Sequence, residues 1–193
     1  MPIVAALALL VFVIPTFGVR SWLQYRATGS TGFAGVRPGG GPLEWAAAAV
    51  MVLAYALVPI AAVVGAPLLR GAAATVAGAA LVLLGTAGAF VAQAHMRESW
   101  RIGVDPREVT QLVTDGWFRR VRNPIFSMMI VVSIGLALCC STAFALVLPV
   151  LLVLSLELQV RLVEEPHLIR CHGHAYLAWA RRTGRFVPAI GRL

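Results

Sequence analysis

The residues of this chain that could do chemistry fall into two short segments on either side of a long apolar stretch. The first reads Gln111-Leu112-Val113-Thr114-Asp115-Gly116-Trp117-Phe118-Arg119-Arg120-Val121-Arg122-Asn123-Pro124. Asn123 followed by Pro124 predicts a helix start, a capping residue and then proline at the first helical position. The unpaired N–H groups of that start, beside Arg119, Arg120 and Arg122, suit a carboxylate or a phosphate. They equally suit a capped helix whose arginines touch lipid headgroups. The second segment carries Glu157, Arg161, Glu164 and Glu165, then Pro166-His167-Leu168-Ile169-Arg170-Cys171-His172-Gly173-His174-Ala175-Tyr176. The acidic and basic groups recur at spacings of four, three and four, mostly on one helix face. Acidic groups at a membrane boundary are costly unless paired or functional. Structural ion pairs, Glu157–Arg161 and Arg161–Glu165, are the plain alternative. His167, Cys171, His172 and His174 invite a metal reading. Cys171 and His172 point to different faces, however, Gly173 interrupts the helix, and no second cluster completes a ligand set. No metal is expected.

The elements that must hold these segments are set by composition. The chain has 193 residues, 60% hydrophobic and only 12% charged, with a formal net charge of +8. A soluble domain carries about a quarter charged residues, so a soluble globule, a disordered chain and a nucleic-acid module are all excluded. Every basic side chain other than histidine is an arginine. On so apolar a chain these arginines set orientation and meet anionic headgroups. The partners expected are membrane lipids and a lipophilic small molecule, with no nucleic acid. Cys139, Cys140 and Cys171 do not make a disulfide framework.

Four apolar stretches predict an all-α polytopic membrane protein with about five transmembrane helices. They form a single integral membrane domain over 1–193, three N-terminal spans in 1–92 and the polar segments in 93–193. The first span is Ile3 to Val19, closed by an interfacial anchor of Arg20, Trp22, Tyr25 and Arg26. The second is Trp45 to about Gly65, kinked at Pro59, and the third Ala72 to about Val91. The stretch Pro124 to Leu158, about 35 residues, is too long for one span and short for two. Cys139-Cys140-Ser141-Thr142 is polar enough for a turn, so a tight helical hairpin is expected that brings the two polar segments together at one membrane face. Gly71, Gly78 and Gly85, continued by Ala92, repeat every seven residues, a pattern for close helix packing. His95 is expected at the interface. Arg20, Arg26 and Arg37 follow the first span, Arg70 alone lies between the second and third, and the remaining arginines follow the third span or the hairpin. The positive-inside rule then puts the N-terminus outside and both polar segments in the cytoplasm. Gly29 to Pro42 reads as a flexible loop.

The two polar segments together resemble the isoprenylcysteine carboxyl methyltransferase and phospholipid methyltransferase superfamily. Leu112, Val113 and Gly116 match its first motif, and Arg122, Asn123, Pro124 and Phe126 occupy the second. Glu164, Glu165 and Leu168 match the third, followed by Gly173, Tyr176, Arg185, Phe186 and Pro188. Asn123 stands in place of histidine, Phe118, Phe126 and Trp179 in place of tyrosines, and Gln111 where a histidine often precedes Leu-Val. The resemblance covers roughly residues 93 to 190.

The resemblance implies S-adenosylmethionine (SAM) as methyl donor, bound at the cytoplasmic face by Gln111, Leu112, Val113, Gly116, Arg122, Asn123, Pro124, Glu164 and Tyr176. The cofactor's carboxylate would meet Asn123–Pro124 and Arg122, its amino group and ribose Glu164, and its sulfonium the face of Tyr176 or Trp179. The acceptor would enter sideways from the bilayer. A carboxylate acceptor needs only an arginine to orient it, Arg161 first and Arg185 second. An amine acceptor needs a base, and Glu165 is the candidate. The expected location is the inner membrane of a bacterium. Two other readings compete: an NADPH-dependent intramembrane sterol-type reductase, whose 2′-phosphate would use the same arginines, and a membrane scaffold without activity.

Overall fold

A computed structural model describes residues 2–33, 41–68, 71–103 and 111–193. Arg37, Arg70 and half of the glycine-rich loop (34–40) lie outside the described residues. Within them the chain is helical, with only isolated β-bridges. Five apolar helices make the body: α1 (Pro2–Thr28), α2 (Pro42–Ala56), α3 (Ala72–His95), α4 (Pro124–Cys140) and α5 (Phe144–Ala180). α1, α3 and α5 are each long and apolar enough to cross a membrane; α2 and α4 are apolar but shorter. Their outer faces carry exposed apolar side chains such as Leu7, Leu10, Ile14, Leu83, Leu84 and Leu154, which water would not tolerate as a continuous belt but lipid would.

α1 runs nine residues past the expected end of the first span. Pro15 has no N–H to give, and the chain widens into a π turn over Ile14–Val19 and continues. The extension turns one expected anchor residue inward. Arg20 is buried, donates to the carbonyls of Gln93 (3.4 Å) and Arg97 (2.9 Å), and stacks 4.6 Å from the centre of the Trp100 ring. It satisfies carbonyls that the end of α3 leaves open. Trp22, Tyr25 and Arg26 remain exposed. α2 breaks at Leu57, two residues before Pro59, and a single further turn, Val58–Ala61, follows.

α3 and α4 form the tightest pair, and the glycine repeat is the reason. A Cβ on Gly78 would lie 2.6 Å from the Gly135 carbonyl oxygen, and one on Gly85 2.6 Å from Val132. Gly135 returns the contact, 2.7 Å from the Gly78 carbonyl oxygen. Backbones this close leave no space for a methyl group. Gly71 stands apart from the interface, at the start of α3 with φ +112°.

The hairpin forms where the sequence breaks. Ser141 takes the left-handed conformation (φ 56°) after Cys140, and a short 3-10 turn, Phe144–Leu146, opens α5. The bend is tied to the loop after α2: Thr142 Oγ1 donates to the Ala61 carbonyl at 2.6 Å, and the Ala143 N–H to that of Ala66 at 3.0 Å. From there α5 runs 37 residues, about 55 Å at a helical rise of 1.5 Å per residue. A hydrocarbon core is about 30 Å thick, so α5 is longer than one crossing, and Glu164 and Glu165 lie about 30 Å along it from Phe144. Two irregularities mark this part, a π turn over Val160–Glu164 and a kink at Gly173 (φ 50°, ψ −123°).

Candidate functional site

The start of α4 and the far part of α5 meet, as the hairpin requires. The chain after α5 folds back along the approach to α4, with the Arg122 N–H on the Gly184 carbonyl (2.7 Å) and the Asn123 N–H on that of Arg185 (3.1 Å). Side chains lock the same junction. Arg122, buried to 4% exposure, donates to Glu165 Oε1 (2.6 Å) and to the carbonyls of Ala180 (3.1 Å), Thr183 (2.5 Å) and Gly191 (3.0 Å). Arg185 binds both oxygens of Glu165, at 2.9 and 3.1 Å, and reaches Glu157 at 3.4 Å. The hydrogen bond to Glu165 raises the Arg185 pKa above its ordinary value. One carboxylate thus holds two guanidinium groups, the arrangement in which a buried charge is compensated.

Arg161 is placed differently from the sequence expectation. Its only ion pair among the described residues is with Glu157, and its side chain is 59% exposed. Of the two ion pairs that are the plain alternative, Glu157–Arg161 forms, whereas Glu165 takes Arg122 and Arg185 in place of Arg161. Neither Arg161, Glu165 nor Arg185 lines the cavity described next.

That cavity, about 950 Å³, opens between α2, the end of α3, the start of α4 and the middle of α5. Its polar end gathers Gln93, Gln111, Arg122, Asn123, Gln159, Glu164 and His167; its apolar remainder is lined by α2 together with Ile125, Phe126 and Met129. Of the predicted cofactor residues, Gln111, Leu112, Val113, Arg122, Asn123, Pro124 and Glu164 are at the cavity, and Gly116 and Tyr176 are not. Gly116 has a packing reason: at φ +54° it lies under His95, and a Cβ there would be 2.7 Å from the imidazole. Tyr176 is buried with its ring against Trp179, 5.7 Å between centres at 72°. Trp179 does reach the cavity, held by its indole N–H on the Phe118 carbonyl at 3.1 Å.

Two adjacent glutamates therefore have different surroundings. Glu165 is spent on the arginines, whereas Glu164 faces the cavity. At the start of α4 no side chain caps the helix. Pro124 brings no N–H, so those of Ile125 and Phe126 have no partner within the helix. The Nε of Arg122 is buried without a hydrogen-bond partner. The polar end thus offers donors for an anionic group and a carboxylate for a cationic or hydroxylated one.

Sequence reasoning did not anticipate Gln159, or His167 in this role. Ser155, Gln159, Val163 and His167 line the cavity at intervals of four, a spacing that reading from the charged residues alone passes over. His167 packs 3.4 Å from the Cys171 sulfur through Nε2. Among the described residues no cluster of His, Cys, Asp and Glu is placed to hold a metal.

A family model described as phospholipid methyltransferase matches residues 73–175, just over half of the chain, from α3 into the last part of α5. No curated protein matches it.

Proposed function

This chain belongs to the phospholipid methyltransferase family and is a membrane methyltransferase, and on that premise we propose that it uses SAM to methylate a lipophilic acceptor drawn from the bilayer. The observation that carries the reading is one cavity whose polar end is built by both polar segments and whose other end is apolar.

The residues present fit the cofactor. The partnerless Nε of Arg122 and the open N–H groups at the start of α4 suit its carboxylate. Glu164 suits its amino group or ribose hydroxyls, and Trp179, rather than the enclosed Tyr176, offers an aromatic face to its positive sulfur. When bound, the cofactor supplies an electrophilic methyl group for in-line displacement. The chain's own contribution is placement. Glu165, Arg122 and Arg185 fix the start of α4 against α5, so that Asn123 and Glu164 keep a constant separation. Phe118 and Trp179, packed together with Tyr176, keep water from that end. Positioning and desolvation of this kind supply most of the acceleration in a displacement that needs no strong acid. Arg185 and Glu165 are positioning residues in this scheme, and Arg161 stands outside the cavity.

The polar end is proposed to face the cytoplasm of a bacterial inner membrane, with the N-terminus outside. The support is arginine placement: Arg97, Arg101, Arg119, Arg120 and Arg122 lie between α3 and α4, and Arg181, Arg182, Arg185 and Arg192 follow α5, all at the end of the bundle where the polar segments meet.

Calorimetric titration of the purified protein in detergent with SAM, and separately with NADPH, tests the reading. Saturable binding of SAM and none of NADPH is expected. Binding of NADPH without SAM would overturn the methyl-donor assignment.

A further inference from the structure

The apolar part of the cavity is walled by an element outside the family match. α2 precedes residue 73, so the match places no constraint on it. Trp45, Ala48, Val52 and Ala56 all line the cavity. Their spacing of three, four and four makes one row along the helix, and Ala49, Met51 and Leu53 line the cavity beside it. Phe126 and Met129 of α4 line the same space. Polar groups collect where α2 begins, at Glu44, and the lining towards Ala56 is apolar.

Two dimensions define what fits there. From Trp45 to Ala56 the helix rises about 16 Å, close to half of a hydrocarbon core about 30 Å thick. The whole cavity, about 950 Å³, is at the upper end of the roughly 300–1,000 Å³ that one drug-sized ligand occupies. With a cofactor at the polar end, the remainder lies along α2 and suits an apolar chain.

We propose that α2 selects the acceptor by the length of a single apolar chain laid along Trp45, Ala48, Val52 and Ala56, with the methyl-accepting head at the polar end. The proposal rests on the methyltransferase reading and deepens it. Ala48 and Ala56 are the selecting positions, because each is a small residue on the lining where a larger one would take the space of the chain. A substituent at Ala48 would obstruct the chain near its head. One at Ala56 would obstruct only its far end.

The test supplies graded n-alkylamines and n-alkanoic acids, short to long, with SAM carrying a labelled methyl group, and reads the products by mass. Wild type, Ala48→Trp and Ala56→Trp are compared, and S-adenosylhomocysteine affinity is measured for each. Ala56→Trp is expected to lower transfer to the longest probes by roughly tenfold or more and to spare the short ones. Ala48→Trp should lower transfer to all but the shortest. Both should keep S-adenosylhomocysteine affinity. Equal losses at every length, or an unchanged length profile in both variants, would overturn the proposal. If wild type transfers to none of the probes, their retention on the protein in native mass spectrometry gives the profile instead. Length-dependent retention that Ala56→Trp shortens supports the proposal, and length-independent retention overturns it. Absence of S-adenosylhomocysteine binding by wild type would instead overturn the methyltransferase reading, while retention still decides the selection.

Discussion

At Glu165 two guanidinium groups converge on one carboxylate, while one residue earlier Glu164 lines the cavity beside Gln159, with which it shares a hydrogen bond. Substitutions at these neighbours should therefore fail in different ways. Glu164→Gln is expected to weaken SAM binding by about 1.5–3 kcal/mol, the scale of a hydrogen bond to a charged group, and to leave the unfolding midpoint near that of wild type. Glu165→Gln should cost stability instead, about 3–5 kcal/mol, because it leaves buried Arg122 without a carboxylate and Arg185 with Glu157 alone; unfolding in detergent measures it. Arg161→Ala removes an exposed pair with Glu157, worth at most about 1 kcal/mol, and both stability and SAM affinity should survive it. The sequence made the charged cluster and its Glu157–Arg161 pair legible, but not the partners of Glu165. Four charges within two turns permit several pairings, and the one adopted depends on Arg122 and Arg185, distant in the chain and brought in by the hairpin.

At the scale of elements, the glycine repeat and the polar break at Ser141 were both readable, because each follows from local chemistry: a missing Cβ, and a short polar run between apolar helices. Two substitutions of the same size separate what the α3–α4 contact tolerates. Gly78→Ala pushes a methyl group against backbone, the Gly135 carbonyl and the Cys139 N–H. Gly88→Ala meets the side chain of Met128, which can change rotamer. Gly78→Ala is expected to destabilise by about 1–3 kcal/mol and Gly88→Ala by clearly less, as read from thermal inactivation in detergent. The inward turn of Arg20 was not readable. Its neighbours Trp22 and Arg26 fit an interfacial belt, and only the meeting of α1 with the end of α3 supplies the carbonyls that draw Arg20 in.

For the whole molecule, connectivity alone predicted that the two polar segments would meet, and they do. The contribution of α2 to the cavity was not legible, since beyond Glu44 its sequence is almost wholly apolar and carries no mark of which face is lined. Orientation in the bilayer is tested by labelling single cysteines in a cysteine-free background. A cysteine beside Gly191 is expected to react only after the inner face is made accessible. Reaction in intact cells would reverse the assigned topology.

The π turn in α5 amounts to one residue of slack. From Ser155 to His167 is twelve steps, whereas three turns of regular α-helix take about eleven. Deleting Leu162, which is exposed, would use up the slack and leave Ser155 and His167 in phase, so the fold should persist with a near-normal unfolding midpoint. What the deletion removes is the local widening at Glu164, and SAM binding should be lost. Adding one residue at the same place has no such reserve: it turns everything beyond it by about 100°, carries Glu165 away from its arginines, and should prevent folding. Tolerance of shortening but not of lengthening is thus written into the helix as a surplus of length.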